Sequence, residues 1–155
     1  MIKINVITNN INWFRYIKNP NNYLDKKLNK LNLKNKIYIK KKIFCTLLLS
    51  NSKEIKLLNK KFKKKNKATE ILSFPFQTKN ELKRKIKKEK EIYLGDIIIN
   101  LNKIKNKKVL KKFKIQFDHL WIHGLVHLLG HDHKKNEDFL KMNRVEKRYF
   151  DLVND

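Results

Sequence analysis

Residues 123–133 of the chain are His123-Gly124-Leu125-Val126-His127-Leu128-Leu129-Gly130-His131-Asp132-His133. Residues four apart lie on one face of a helix, so His123 and His127 can direct their imidazoles at a single point. Gly130 allows the positive φ that commonly ends a helix, after which the chain can turn back. His133 can then complete a site of three nitrogen ligands. Three neutral imidazoles, with a fourth position left to water, are typical of a catalytic zinc site.

The spacing of the three histidines is also that of the long zinc-protease signature, H-E-x-x-H-x-x-G-x-x-H. That signature places a glutamate, the general base of peptide hydrolysis, directly after its first histidine. This chain has Gly124 at that position. The sequence therefore predicts the metal ligands of such a site without its proteolytic base.

Two further histidines lie near the predicted site. His119 is one turn before His123, but a fourth protein ligand would close the site to water. We therefore predict that His119 either supports a metal ligand or is a packing residue. His131 is predicted to lie in the loop, where its ring either contacts substrate or has no role.

The charge of the chain is strongly positive. Its 155 residues include 39 lysines and arginines against 14 aspartates and glutamates, a formal net charge of +25. Such a charge indicates a polyanionic partner, which can be RNA, DNA or an anionic membrane surface. A competing cause is A/T-rich codon usage, because only four of the basic residues are arginine and asparagine is abundant. We favour RNA contact, since the positive field exists whatever its origin.

The size and apolar content of the chain bound its class. A length of 155 residues with 41% hydrophobic residues predicts one domain, residues 1–155, with its own core. Cys45, the only cysteine, lies in an apolar run and is predicted to be a buried, inert thiol in a reducing compartment. The first residues lack the pattern of a signal peptide, and no apolar run approaches the ~20 residues of a membrane span. We therefore expect a cytoplasmic protein without a membrane partner.

Apolar periodicity predicts an α+β fold, in which a small mixed β-sheet is covered by helices. The histidine spacing places a zincin-like metal site on a helix and the following loop. Strands are predicted at residues 2–7, 37–49 (most clearly from Ile43), 71–76 and 92–99. Helices are predicted at residues 23–31, from 51 or 52 to about 62, from about 117, and at 137–152. Pro75 indicates an edge strand, because proline cannot donate to a β-ladder. The lysine-rich residues 77–91 are expected to form a solvated loop or a frayed helix.

Three ordered blocks of the sequence resemble the motifs of the YbeY family of bacterial rRNA maturation endoribonucleases. Residues 123–133 resemble the family signature H-G-x-L-H-L-x-G-Y-D-H. Residues 58–76, from Leu58-Asn59 through Thr69 to Phe76, resemble L-N-x-x-F-R…T-[DN]-V-L-S-F-P-F. Residues 94–99 resemble L-G-D-[IL]-x-I, and all three glycines of the chain, at positions 95, 124 and 130, fall within these blocks.

The resemblance implies a zinc-dependent, single-strand-specific endoribonuclease that acts in rRNA maturation, at late 3′-end processing of 16S rRNA, and in ribosome quality control. It implies one Zn²⁺ per chain held by His123, His127 and His133, and partners that include small-subunit rRNA and ribosomal proteins. A bound Zn²⁺ lowers the pKa of its water to about neutrality, so no carboxylate base is required. Asp132 is expected to hold the turn and to orient a histidine.

The chain departs from the family pattern at several positions. Lys63 occupies the place of an arginine that the resemblance assigns to catalysis, and lysine lacks the planar two-pronged grip of arginine on phosphate. The alternative is that Lys63 is one more solvated lysine of a basic cluster. Asn66 replaces an aspartate, Glu70 an aspartate or asparagine, and His131 a tyrosine, while Val126 for leucine is a mild change. These changes bear on catalytic strength more than on metal binding.

Three hypotheses about function remain open from the sequence. The first is the zinc-dependent endoribonuclease. The second is a non-catalytic ribosome-assembly factor that retains a structural metal. The feature that supports it is Lys63, which stands where the family motif has arginine. The third is a metal-dependent hydrolase of another substrate, such as a peptide, against which Gly124 argues.

Overall fold

A four-stranded mixed sheet forms the centre of the molecule. The structure, a computed structural model, describes residues 1–155 except for the side chain of Ile37. The strands are β1 (Ile2–Thr8), β2 (Lys42–Ser50), β3 (Ile71–Pro75) and β4 (Glu91–Asn100). Their order is β1-β2-β4-β3, in which β1, β2 and β4 are parallel and β3 is an antiparallel edge strand. The predicted α+β fold with a small mixed sheet is confirmed, and so is the edge position of Pro75.

Five α-helices surround the sheet unequally. They are α1 (Pro20–Lys34), α2 (Ser52–Lys63), α3 (Lys79–Lys88), α4 (Leu110–Leu128) and α5 (Asn136–Asn154). The main core lies between one face of the sheet and α1, α4 and α5. Among the described residues, only α2 packs on the other face, around Ile55, Leu72 and Ile98, so much of that face stays open. Within the described part of the chain, no helix combines the length and apolar character needed to cross a membrane.

The expectation of a loop or frayed helix at residues 77–91 is wrong, because α3 is a regular helix with a full capping box. The Thr78 hydroxyl accepts from the Glu81 amide, and the Glu81 carboxylate accepts from the Thr78 amide at 2.8 Å. Leu82 is buried in the core and Ile86 packs beside it. Two apolar residues among many lysines gave too weak a periodic signal, although the cap itself was visible in the sequence.

The helix that carries the histidines begins at Leu110, seven residues before the predicted start near Phe117. Phe113 and Phe117 are fully buried and both contact the Trp13 ring, with centroids 6.1 and 5.6 Å apart. Trp13 belongs to a short 3-10 helix that the apolar pattern did not reveal. The lysines between the buried positions interrupt the apolar period, so the sequence did not indicate the first two turns of α4. Tertiary packing of Phe113 and Phe117 stabilises these turns as helix.

Near the predicted site, two glycines allow neighbouring segments of the chain to pack closely against their backbone. A Cβ on Gly124 would lie 2.7 Å from the Ile97 side chain, so glycine lets α4 pack directly on β4. A Cβ on Gly95 would lie 2.1 Å from the Phe74 carbonyl oxygen, and Gly95 has a φ of 132°. Gly95 also sits where the pairing of β2 with β4 shifts by one residue, which is a β-bulge.

Cys45 is completely buried in the main core. Burial, followed by the negative charge of Asp96, raises the pKa of its thiol to about 12. The thiol therefore stays protonated and unreactive, as predicted for a structural cysteine.

Candidate metal centre

The end of α4 turns the chain back onto the last turn of the helix. The Gly130 amide donates to the His127 carbonyl (2.9 Å) and the His131 amide donates to the Val126 carbonyl (3.3 Å). Gly130 has a φ of 90°, so this is a Schellman motif with glycine in its usual place. The predicted role of Gly130 is confirmed, and the turn directs residues 131–133 towards His127.

The structure brings His123, His127 and His133 together. One ring nitrogen from each lies within 4.8 Å of the other two. A tetrahedral metal with bonds of about 2.0 Å requires ligand nitrogens about 3.3 Å apart. The His133 side chain is exposed, so a small rotation of it can bring the three nitrogens to this separation. The three histidines could therefore hold a metal ion.

Hydrogen bonds orient two of the three imidazoles. The His123 Nδ1 lies 2.8 Å from the Glu146 carboxylate, and the His127 Nδ1 donates to the His131 carbonyl oxygen at 3.0 Å. Each bond occupies Nδ1, which leaves Nε2 free to bind a metal ion. Metal-binding histidines usually donate their other ring nitrogen to a carboxylate or a carbonyl in this way.

Glu146 is the residue of the site that the sequence did not reveal. It lies on α5, and only the packing of α5 against α4 brings its carboxylate to His123. A metal-binding histidine usually donates its other ring nitrogen to a nearby acceptor, so the sequence indicated that such an acceptor exists. It did not indicate which of the 14 acidic residues supplies it.

The protonation of His127 suits a metal ligand. Burial, followed by the positive charge of His123, lowers the pKa of His127 below its ordinary value. Its imidazole therefore remains neutral to a lower pH than that of an exposed histidine. A ring nitrogen must be deprotonated before it can bind a metal ion.

A groove of about 770 Å³ is lined by His127, among the three clustered histidines, and by Lys63. Lys63 is the last residue of α2, and its Nζ lies 5.4 Å from the centre of the Phe74 ring. Burial, followed by the charge of Lys65, lowers the pKa of Lys63. The groove walls come from α2, β3, the start of α3 and the turn after α4, and include His127, His131, Lys79 and Lys134. The structure thus places Lys63 and His127 on one groove, while the catalytic role of Lys63 stays a prediction.

The structure also places the other predicted residues. His119 is exposed and stacks on Phe150 with ring centroids 3.9 Å apart, which confirms its packing role. His131 lines the groove. Asp132 accepts the His133 amide at 2.7 Å and so holds the turn, as expected.

We expect Glu146→Gln to weaken metal binding by about 10- to 100-fold, because the amide cannot offer His123 a charged acceptor. Equilibrium dialysis against a competing chelator would measure the loss. The matched control is Glu137→Gln, which removes the same charge from the first turn of the same helix. Equal metal affinity in the Glu146→Gln variant and the original chain would show that the contact has no bearing on the metal.

Comparisons with known proteins agree with this geometry. The family model described as Endoribonuclease YbeY matches residues 3–154. A protein of that name from Pelagibacter ubique is 43% identical, over 99% of this chain and 97% of the relative. One from Ehrlichia canis is 33% identical, over 99% and 93%. The solution structure of TM1509 from Thermotoga maritima shares the fold with a TM-score of 0.59 and 23% identity, over 99% of this chain and 89% of that one. The chain belongs to the Endoribonuclease YbeY family.

Proposed function

We propose that this chain is a zinc-dependent endoribonuclease that cleaves single-stranded RNA during rRNA maturation, at late 3′-end processing of 16S rRNA, and in ribosome quality control. We propose a cytoplasmic protein of one functional domain, residues 1–155, with the small ribosomal subunit and its proteins as partners. The observation that carries this proposal is the cluster of three histidines, one of which, His127, lines a groove that also contains lysines. Membership of an endoribonuclease family supports RNA as the substrate.

The donor set favours zinc as the metal. Three imidazoles, two of them held by a carboxylate and a carbonyl, are typical of catalytic zinc sites with an open fourth position. When bound, Zn²⁺ acts as a Lewis acid and makes water a nucleophile at neutral pH. His123 and His127 are kept in place by their Nδ1 contacts, and His133 completes the set from the loop.

The groove supplies the features that a phosphodiester needs. Lys63, Lys79 and Lys134 line it and offer ammonium groups to the phosphate of the substrate. Position 124, where a zinc protease carries its base, faces Ile97 inside the fold, so a carboxylate there would not reach the groove. This arrangement favours phosphodiester over peptide hydrolysis.

The decisive experiment incubates the purified chain with a short labelled single-stranded RNA and, separately, with the same RNA annealed to its complement. We expect the single strand to be cut, cleavage to stop after the metal is chelated, and stoichiometric Zn²⁺ to restore it. Metal content is measured on the same samples by mass spectrometry. Undiminished cleavage by metal-free protein would contradict the proposed mechanism.

The second candidate is a non-catalytic assembly factor with a structural metal. The observation that favours it is Lys63 in place of the arginine of the family motif. Stoichiometric metal and RNA binding without any cleavage would support this candidate. Loss of folded structure on chelation would add that the metal is structural.

A further inference from the structure

Five aromatic rings run from the groove across the open face of the sheet. We call the set Phe44, Phe62, Phe74, Phe76 and Tyr93 the aromatic row. Phe62 contacts Phe74 with ring centroids 5.5 Å apart, Phe76 contacts Tyr93 at 5.5 Å, and Tyr93 contacts Phe44 at 5.3 Å. Phe74 and Phe76 are two residues apart along β3 and its end, so they link the two groups. Phe62, Phe74 and Phe76 line the same groove as His127.

The backbone of β4 contributes to the position of the aromatic row. The β-bulge at Gly95 places both Tyr93 and Asp96 on the open face, although residues three apart in a regular strand point to opposite faces. Phe62 and Phe76 are 59% and 66% exposed, and the other three rings are half-buried. Phe62 and Phe76 also line the groove, and apolar rings that are contiguous on a surface are typical of a binding site.

Each phenylalanine of the row has a lysine above its ring. The Nζ-to-centroid distances are 5.3 Å for Lys61 over Phe62, 5.4 Å for Lys63 over Phe74, 5.9 Å for Lys85 over Phe76 and 5.4 Å for Lys42 over Phe44. Alternating rings and ammonium groups are what a single nucleic-acid strand requires, because its bases stack on rings while its phosphates bind cations.

The lysines of the row that lack a carboxylate partner lie at its groove end, among the described side chains. Lys42 pairs with Glu91 at 2.7 Å and Lys85 lies 4.0 Å from Glu89. Tyr93 donates its hydroxyl to Asp96 at 2.5 Å. Among the described side chains, by contrast, Lys61 and Lys63 form no ion pair with a carboxylate. A bound strand would therefore have its most strongly held phosphates beside the histidines.

We propose that the aromatic row stacks the bases of single-stranded RNA next to the phosphate that lies at the metal site. This inference rests on the proposed function, and it deepens it by assigning the surface that selects unpaired RNA. From β3 to β2 the row crosses two strand spacings, about 10 Å, which suits roughly two to three stacked bases. Bases paired within a duplex cannot present their faces to these rings, so the row binds only unpaired strands.

The test is the affinity for a labelled single-stranded RNA, measured by fluorescence anisotropy with the purified metal-bound chain under conditions where a gel shows the RNA uncut. We expect the double variant Phe44→Leu/Phe76→Leu to bind about tenfold more weakly, with an unchanged dependence on salt. The control Phe14→Leu removes a ring that is 44% exposed but lies outside the row, and it should bind normally. Phe76→Trp, which offers a larger stacking surface, should bind at least as tightly as the original chain.

A second measurement guards against misfolding of the double variant. RNA that carries 5-iodouridine cross-links on irradiation to aromatic side chains stacked on it, so the original chain can be used unchanged. We expect cross-linked peptides that contain Phe44, Phe76 or Tyr93. Cross-links confined to other surfaces, or an unchanged RNA affinity in a folded double variant, would overturn the inference.

The outcomes separate this inference from the proposed function. If the original chain cleaves RNA and the double variant binds RNA equally well, the nuclease function stands but the aromatic row is not an RNA site. A chain that binds through the row but never cleaves has lost the nuclease function alone. Unchanged RNA affinity, together with lost binding to purified ribosomal proteins, would reassign the open face to a protein partner and overturn the inference.

Discussion

Replacement of His127 by alanine is expected to remove the bound metal and to lower RNA cleavage by at least about 10³-fold. His127 has the central ring of the three. Its ring centroid lies 4.6 Å from that of His123 and 5.0 Å from that of His133. We expect the two remaining imidazoles to hold zinc too weakly to survive dialysis, and without the metal the pKa of water returns from about 7 to its much higher value in bulk solvent. Zinc content by mass spectrometry and cleavage of a labelled single-stranded RNA measure both effects.

His119→Ala is the matched control for His127→Ala. It removes a histidine from the same helix, but one that stacks on Phe150 and lies outside the metal cluster. We expect full zinc content and unimpaired cleavage. RNA affinity should be nearly unchanged in both variants, because the lysines of the groove remain. Normal cleavage by a metal-free His127→Ala protein would refute the metal-dependent mechanism.

The three histidines could be predicted because their geometry is local. A helix places His123 and His127 on one face whatever surrounds it, and Gly130 determines where the helix ends. The signal was therefore contained within eleven consecutive residues, 123–133. The strands were largely predictable for a similar reason, since β1 and β2 show their alternation within the segment, although β2 begins at Lys42 rather than at residue 37.

Features that depend on contacts distant in sequence could not be predicted. Glu146 reaches His123 only through the packing of α5 on α4, and Phe44 reaches Tyr93 only through the pairing of β2 with β4. No periodicity encodes such pairs. The regular helix α3 was missed because its stability comes from a cap and from the burial of Leu82 rather than from a long apolar stripe.

Lys63→Ala is expected to lower kcat/KM for RNA cleavage by about 10²-fold while zinc remains stoichiometric. Lys63 lies on the groove beside His127, so its ammonium can stabilise the negative charge that develops on the phosphate. A loss confined to kcat would show that the interaction forms in the transition state, whereas a rise in KM alone would indicate simple substrate binding. The matched control is Lys60→Ala, which removes the same charge from the same helix but not from the groove.

Lys63→Arg tests whether lysine performs this task well. Arginine grips phosphate with two parallel donors, so we expect equal or faster cleavage at neutral pH. Because burial and Lys65 lower the pKa of Lys63, cleavage by the original chain should decline at alkaline pH before an ordinary lysine would lose its proton. Arginine stays charged there, and the variant should retain its activity. Equal losses of kcat/KM in Lys63→Ala and Lys60→Ala would instead show that Lys63 contributes only to the general positive charge of the surface. Cleavage that appears only in Lys63→Arg would identify an assembly factor whose chemistry has decayed.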